Sequence, residues 1–276
     1  MVSALFFLFL FFMNVEPQPP IQVLSYNIRY KNNNDGLDIW ENRKARVTEF
    51  ITASAPSFLG MQEVVHEQLQ DLKQALPQYT ALGVGREDGK EKGEYSPLFF
   101  QTQRFKLKAQ GTFWLSESPD QVSKGWDAAL ERICTWGYFK DKKTRKKIWV
   151  FNTHFDHKGE EARAMAVELL LEKIKAYNTK GEAVLLMGDL NLAADTAPIK
   201  KLQKHLGDVL ENLSPQDPTY GTFNGFGSNP QPARRIDYIF QQGMQVLSAS
   251  HPQVKTAEGR WASDHHPVWA VMNFNN

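Results

Sequence analysis

Six short segments of this chain begin or end an apolar run with a residue able to bind a metal ion or move a proton. Leu24-Ser25-Tyr26-Asn27 closes one run with an amide, and Met61-Gln62-Glu63 closes another with a carboxylate. Asn152-Thr153-His154-Phe155-Asp156-His157 and Met187-Gly188-Asp189-Leu190-Asn191 end two more. Arg235-Ile236-Asp237-Tyr238 sets an acid inside an apolar run, and Ser263-Asp264-His265-His266-Pro267 precedes the last one. Asp, Glu and Asn suit Mg²⁺ or Mn²⁺, while His transfers protons or puts positive charge at a phosphoryl oxygen. Taken singly, an Asn or Glu after a strand is more often a turn or a helix cap. Asp189-x-Asn191 is stronger, because strand alternation can aim both side chains the same way. Asp237 needs a partner, since an unpaired buried charge is costly, and a histidine is the natural one.

These residues need strands to carry them to one edge. Ile21 to Ile28 reads as a buried strand, followed by a polar loop and a helix from Trp40 to Ala53 with Trp40, Ala45, Val47, Phe50 and Ile51 on its apolar face. A short strand at Ser57 to Met61 and a helix at His66 to Ala75 come next. Extended runs are expected at Tyr79–Val84, Tyr95–Phe100, Phe105–Leu115, Glu131–Phe139 and Lys147–Phe155. Lys140 to Lys147 (KDKKTRKK) lies between two of these and reads as a solvated hairpin turn rather than a nucleic-acid patch. From Gly159 to Tyr177 the positions Ala162, Met165, Ala166, Leu169, Leu170, Ile174 and Tyr177 keep helical spacing, with Arg163 among the outward residues. Strands return at Ala183–Met187, Arg235–Phe240, Met244–Ser250 and His266–Phe274. Both helix-linked and hairpin-linked strands occur, which points to mixed sheets packed face to face with helices outside. Strand ends gather at one edge of such a sandwich, so the six segments can converge.

Composition limits the chemistry further. The chain has 276 residues, one cysteine and a formal net charge of +1. Cys134 alone cannot form an internal disulfide or a thiolate metal knot, so metal ligands must be carboxylate, amide or imidazole. The balanced charge lacks the excess expected of a protein that mainly grips a nucleic-acid backbone or an anionic lipid surface. Met1 to Met13 is apolar apart from Ser3 and fits the core of an export signal, shorter than a membrane span. The basic lead-in and small-residue cleavage site of a signal are missing, and a buried first element is the other reading. Pro17, Pro19 and Pro20 then break any continuing structure. Residues 1–20 are accordingly read as a signal-like segment with a Pro-rich linker, residues 21–276 as one catalytic domain, and the protein as exported.

In this order the six segments resemble the endonuclease/exonuclease/phosphatase superfamily, over nearly the whole stretch from Ile21 to Phe274. The resemblance implies a four-layer α/β/β/α sandwich of two mixed sheets. It also implies Mg²⁺, with Mn²⁺ as substitute, held by Glu63 with Asn27 and Asp264 nearby. Asp189 would position or deprotonate the attacking water, and Asn191 would hold the scissile phosphate. His265, oriented by Asp237, would contact or protonate a phosphate oxygen, and His154 would face it across the site with Glu94 as an orienting partner. The expected reaction is in-line hydrolysis of a phosphoester. A phosphodiester is favoured, in a nucleic acid, a nucleotide or a small molecule, and the protein is expected to act as a monomer without a stable protein partner.

Other residues stay open at this stage. Arg43 is either a phosphate contact or a helix-surface ion-pair partner. Arg29 sits just past Asn27 and can face the site. Trp114, Trp126 and Trp261 can stack on a base or sugar, or pack at the core or rim. Asp156 and His157 either support His154 or cap the following helix. Two other hydrolase patterns fail. Thr-His-Phe-Asp-His lacks the preceding histidine pair of di-zinc hydrolases, and Asp264-His265-His266 comes too late in the chain to build the site of the DHH phosphoesterases. No Gly-x-Ser-x-Gly elbow is present. The competing class is an inactive superfamily member that serves as a binding module.

Overall fold

The computed structural model describes residues 19–227 and 234–275, so the apolar segment Met1 to Met13 lies outside the described residues. Two six-stranded sheets stack face to face. The first is ordered β11(Met244–Ser250), β12(Val268–Phe274), β1(Ile21–Asn27), β2(Phe58–Gln62), β4(Leu98–Gln101), β3(Tyr79–Leu82). The second is ordered β5(Phe105–Trp114), β6(Ile133–Asp141), β7(Lys147–His154), β8(Ala183–Asp189), β10(Asp237–Gln242), β9(Gly207–Asp208). Helices α1(Trp40–Ser54) and α2(His66–Ala75) cover the outer face of the first sheet through Trp40, Val47, Ile51 and Leu72. Helices α3(Glu160–Tyr177) and α4(Ala197–Gln203) cover the second through Val167, Leu170, Ile199 and Leu202. Val23, Phe58, Leu98 and Phe100 meet Phe139, Val150, Leu185 and Ile239 between the sheets. This is the expected four-layer α/β/β/α sandwich.

Each sheet contains one parallel pair joined by a helix: β1 and β2 through α1, and β7 and β8 through α3. Parallel strands need such a crossover, and both faces of the strands are then covered. The burial of every residue in β2 and β8 follows from that. The remaining pairings are antiparallel, so strands also start where the parallel ones end. Chain segments entering β10 and β12 therefore reach the same edge as the ends of β8 and β1.

Three expectations shift on contact with packing. Ala45 is exposed, and Arg43 takes its place in the buried face of α1. Met165 is 37% exposed, and Val167 is buried in its stead. The short α4 and the two-residue β9 carry too little periodicity to be seen in the sequence. The KDKKTRKK segment does form the turn between β6 and β7. Among the described residues no helix is long and apolar enough to cross a membrane.

A polar clamp ties the sheets together just beneath the site. Asn152 on β7 donates through Nδ2 to the carbonyls of Met61 (2.8 Å) and Pro97 (2.9 Å) across the sandwich. Its Oδ1 accepts from Gln62 Nε2 at 2.7 Å. The approach needs Gly60, where a Cβ would stand 2.5 Å from Asn152 Oδ1. All these groups are buried, and each one left unpaired costs roughly 1–3 kcal/mol. Asn152→Leu should therefore lower the urea midpoint by several such increments with an unchanged m-value. A stability within error of the parent would show that the clamp holds nothing.

Candidate active site

The ends of the four parallel strands meet at one edge. Asn27 ends β1, Glu63 follows β2, His154 ends β7 and Asp189 ends β8, with His154 and Asp189 in register. Asp237 starts β10 directly opposite Asp189, and Asp264 and His265 lead into β12 beside β1. All eight residues expected to do chemistry, Asn191 included, thus surround one cavity of about 740 Å³ or stand directly behind its wall.

Local backbone geometry aims the side chains. Arg29, Glu63 and Asn191 all have positive φ (58°, 61° and 48°), a region that costs non-glycine residues roughly 1–3 kcal/mol and is kept where the surroundings impose it. Gly188, at φ 152°, lets β8 pass β7, because a Cβ there would collide with the Thr153 carbonyl. Asn27 Nδ2 donates to Glu63 Oε1 at 3.1 Å and to Asp189 Oδ2 at 3.0 Å, joining the two sheets. Glu63 Oε2 accepts from the Tyr30 N–H, and Asp189 Oδ1 accepts from the Asn191 N–H.

The two histidines are shifted in opposite directions. His265 Nδ1 lies 2.8 Å from Asp237 Oδ2, and its Nε2 lies 3.8 Å from Asp189 Oδ2. Burial alone would depress it, but the charge and hydrogen bond of Asp237, with Asp189 and Asp264 beyond, raise it well above the imidazole range. His154 is lowered far below that range by burial and then by the charges of Arg132 and Arg86. Its Nε2 meets Asn191 Nδ2 at 3.1 Å and Asp189 Oδ2 at 3.5 Å. Burial, then the charge of Asp237, pushes Asp189 up to about 7. Asp264 is pushed up to about 6 by burial, with Glu63 adding to it and His265, Arg29 and Arg43 opposing.

Carboxylates crowded this closely suit a divalent cation. Glu63, Asp264 and Asn27 offer the hard oxygen set that Mg²⁺ or Mn²⁺ prefers. Asp189, Asp237 and His265 also bring ligand atoms within 4.8 Å of one another. Their imidazole, however, is already hydrogen-bonded through Nδ1 to Asp237, so only its Nε2 remains for another partner.

Several expectations change. Arg43 is not a helix-surface ion-pair partner but a buried cation bonded to backbone. It is 1% exposed, and its guanidinium donates to the carbonyls of Asp38, Ile28, Ala262 and Arg29 between the Trp40 and Phe226 rings. Glu94 takes Arg86 through both oxygens (2.8 and 3.0 Å) and comes no nearer than 3.9 Å to His154 Nδ1, too far for a hydrogen bond. Asn191 Nδ2 is already engaged by His154 and the Phe155 carbonyl, so the amide holds the histidine in this state. Asp156 braces the turn before α3 and Arg132 rather than His154. Trp261 packs edge-on to His266 under Lys255, Trp114 donates to the Arg86 carbonyl, and Trp126 is half-buried; none lines the cavity. The aromatic rings at the cavity are those of Tyr30 and Phe223, the latter edge-on to His265. Arg29 does line it, held by Asp35 and 4.0 Å from Asp264. Arg132, His157 and Arg163 line it too, although the helical pattern places Arg163 outward.

The Endonuclease/Exonuclease/phosphatase family profile matches residues 24–265. An endonuclease/exonuclease/phosphatase structure from Bacteroides vulgatus is 36% identical with a TM-score of 0.86, covering 94% of this chain and all (100%) of that one. A mannosyl-6-phosphatase of Bacteroides thetaiotaomicron is 37% identical with a TM-score of 0.85, covering 92% of this chain and 100% of its own. An uncharacterized protein of Acanthamoeba polyphaga mimivirus is 28% identical over 55% of this chain and 59% of its own length, so the chain spans little more than half of that relative.

The titrations give a sign to stability. A carboxyl raised in the folded state binds its proton more tightly there than in the unfolded chain. The contributions of Asp189 and Asp264 are therefore present at low pH and lost as pH climbs from their unfolded value of 3.8 through about 7 and about 6. Raised His265 acts in the same direction, contributing below 6.5 and losing that contribution as pH rises through its folded value. Asp156, lowered in the folded state, loses its contribution only in stronger acid. The lowered histidines His154, His157, His251 and His266 act the other way, destabilising the fold as pH falls below 6.5, so the test isolates Asp189: in chelator-treated protein the Tm advantage of the parent over Asp189→Asn should be larger at about pH 5.5 than at about pH 8. An advantage that grows toward pH 8 would refute the assignment.

Proposed function

The chain belongs to the endonuclease/exonuclease/phosphatase family, and on that premise we propose that it is a divalent-metal-dependent hydrolase that cleaves a phosphoester by in-line attack of water. One observation carries the reading: Asp189 Oδ2 lies between His154 Nε2 at 3.5 Å and His265 Nε2 at 3.8 Å, one imidazole pushed down and the other up, with its own carboxyl pushed up to about 7. A carboxylate poised there suits a base that orients and deprotonates water, held in place by the Asn27 amide and the Asn191 N–H. Imidazolium His265, fixed by Asp237, donates from Nε2 to a phosphoryl oxygen whose charge grows in the transition state. Neutral His154 and Asn191 close the opposite side.

Asn27, Glu63 and Asp264 would hold the Mg²⁺ or Mn²⁺ ion, which when bound supplies charge neutralisation at the phosphoryl oxygens and leaving group. Similarity to a mannosyl-6-phosphatase supports phosphoester chemistry. The near-zero net charge selects neither diester nor monoester, so the class proposed is phosphoester. Export through the apolar Met1 to Met13 segment is part of the same reading.

Asp189→Ala and His265→Ala should each lower turnover of p-nitrophenyl phosphate or bis(p-nitrophenyl) phosphate by about 10²- to 10⁴-fold, with circular dichroism unchanged. Chelation should abolish the parent's activity, and Mg²⁺ or Mn²⁺ should restore it. A parent silent with Mg²⁺, Mn²⁺ and Ca²⁺ would favour the binding module instead.

A further inference from the structure

The cavity has an acidic wall and a basic one. Asn27, Glu63 and Asp264 form the first, with Arg29 close to both carboxylates, while Arg132, His157 and Arg163 form the second, and Arg234 lines the cavity as well. The second wall comes from the residue before β6, from the turn that leads into α3 and from the first turn of α3 itself. Asp156 organises it: its carboxylate reaches Arg132 Nε at 3.4 Å, and its carbonyl accepts from Arg163 Nη1 at 3.1 Å. The remaining acceptor capacity of that carboxylate goes to the N–H groups of Leu130, Lys158 and Gly159. Arg132 Nη2 meets His157 Nδ1 at 3.1 Å, which makes Nδ1 the acceptor and leaves the His157 proton on Nε2. Two donors are then left over. Arg132 is 5% exposed, and its Nη1 is buried without a hydrogen-bond partner, as is Arg163 Nε. Buried guanidinium donors without acceptors are costly, and they are rare unless a ligand completes them.

We propose that this wall receives the third terminal oxygen of a phosphomonoester dianion, so that the chain acts on phosphomonoesters in preference to diesters. The inference rests on the phosphoester reading above and narrows it. A diester carries one negative charge and two terminal oxygens, which the metal-binding wall and the His265 side suffice to meet. A monoester adds a second charge and a third oxygen, and guanidinium forks match that geometry. The sequence expectation of a diester came with the family resemblance, whereas the two arginines line the cavity of this chain.

The test compares p-nitrophenyl phosphate with bis(p-nitrophenyl) phosphate in the parent, Arg163→Gln and Arg163→Lys. Loss of one charge-assisted hydrogen bond should lower kcat/KM for the monoester about 10- to 100-fold in Arg163→Gln, with partial recovery in Arg163→Lys. The diester should change less than about threefold, well under the factor expected of that bond. Calorimetry at about pH 8 with Mg²⁺ supplies a second readout, using inorganic phosphate as dianion and dimethyl phosphate as monoanion. Arg163→Gln should weaken phosphate about tenfold or more and leave dimethyl phosphate unchanged. Equal losses for both esters or both anions, or no loss in either assay, would overturn the proposal. If neither ester is hydrolysed, the phosphoesterase reading fails, and the contrast between the two anions still decides whether the wall reads charge.

Discussion

The site depends on a single amide. Asn27 divides its two N–H bonds between Glu63, from the neighbouring strand of its own sheet, and Asp189, from the sheet across the sandwich. Both acceptors are anionic groups drawn from water, and a neutral donor between them tempers their repulsion without adding charge. An aspartate there would crowd another carboxylate among Glu63, Asp189 and Asp264. The amide oxygen accepts from the Arg29 N–H and keeps a second lone pair toward the cavity edge. Because the bond pair spans both sheets, the relation of Glu63 and Asp264 to Asp189 is set by sheet packing. Asn152 and Gly60 fix that packing one layer below.

Acid–base differentiation follows from where the cations stand. Arg86 and Arg132 lie on the His154 side, and burial together with their charges holds that imidazole neutral. Asp237, Asp189 and Asp264 lie on the His265 side and overcome the same burial. Two identical side chains near one carboxylate therefore take different roles, an arrangement that environment alone can produce. The buried pair Asp237–His265 also explains why an acid sits inside the apolar strand β10: its charge is matched within the core.

The sequence revealed the strand-end residues because each breaks an apolar run, and that signal depends only on neighbours along the chain. Asn27, Glu63, His154, Asp189, Asp237, Asp264 and His265 could be found that way. The arginines could not. Arg132 stands at a strand start beside Glu131, and Arg163 stands on a helix among Glu160 and Glu161, contexts that look solvated. Their burial arises from tertiary packing of the Asp156 turn, which no local pattern records. The burial of Arg43 escapes notice for a related reason: it is compensated by four backbone carbonyls, those of Asp38, Ile28 and Arg29 earlier in the chain and that of Ala262 far beyond it. Side chains that bond to backbone leave no partner residue to look for.

That role for Arg43 bears on how the strained loops are held. Arg29 and Glu63 occupy left-handed backbone at a cost that local contacts must offset. The Arg43 guanidinium fastens the carbonyls of Ile28 and Arg29 to that of Ala262, so the loop after β1 and the segment before β12 move as one unit. Asn27 and Asp264 belong to those two segments, and their separation is thereby set from below by a buried cation, without any ligand. On the far side, the stretch from His154 to Arg163 supplies a reacting-side histidine, the braced turn and the donor-rich wall from consecutive residues. The strand ends thus carry the residues that converge at the cavity, and the turn entering α3 is coupled to them, since the Arg132 that Asp156 braces is among the charges that depress His154.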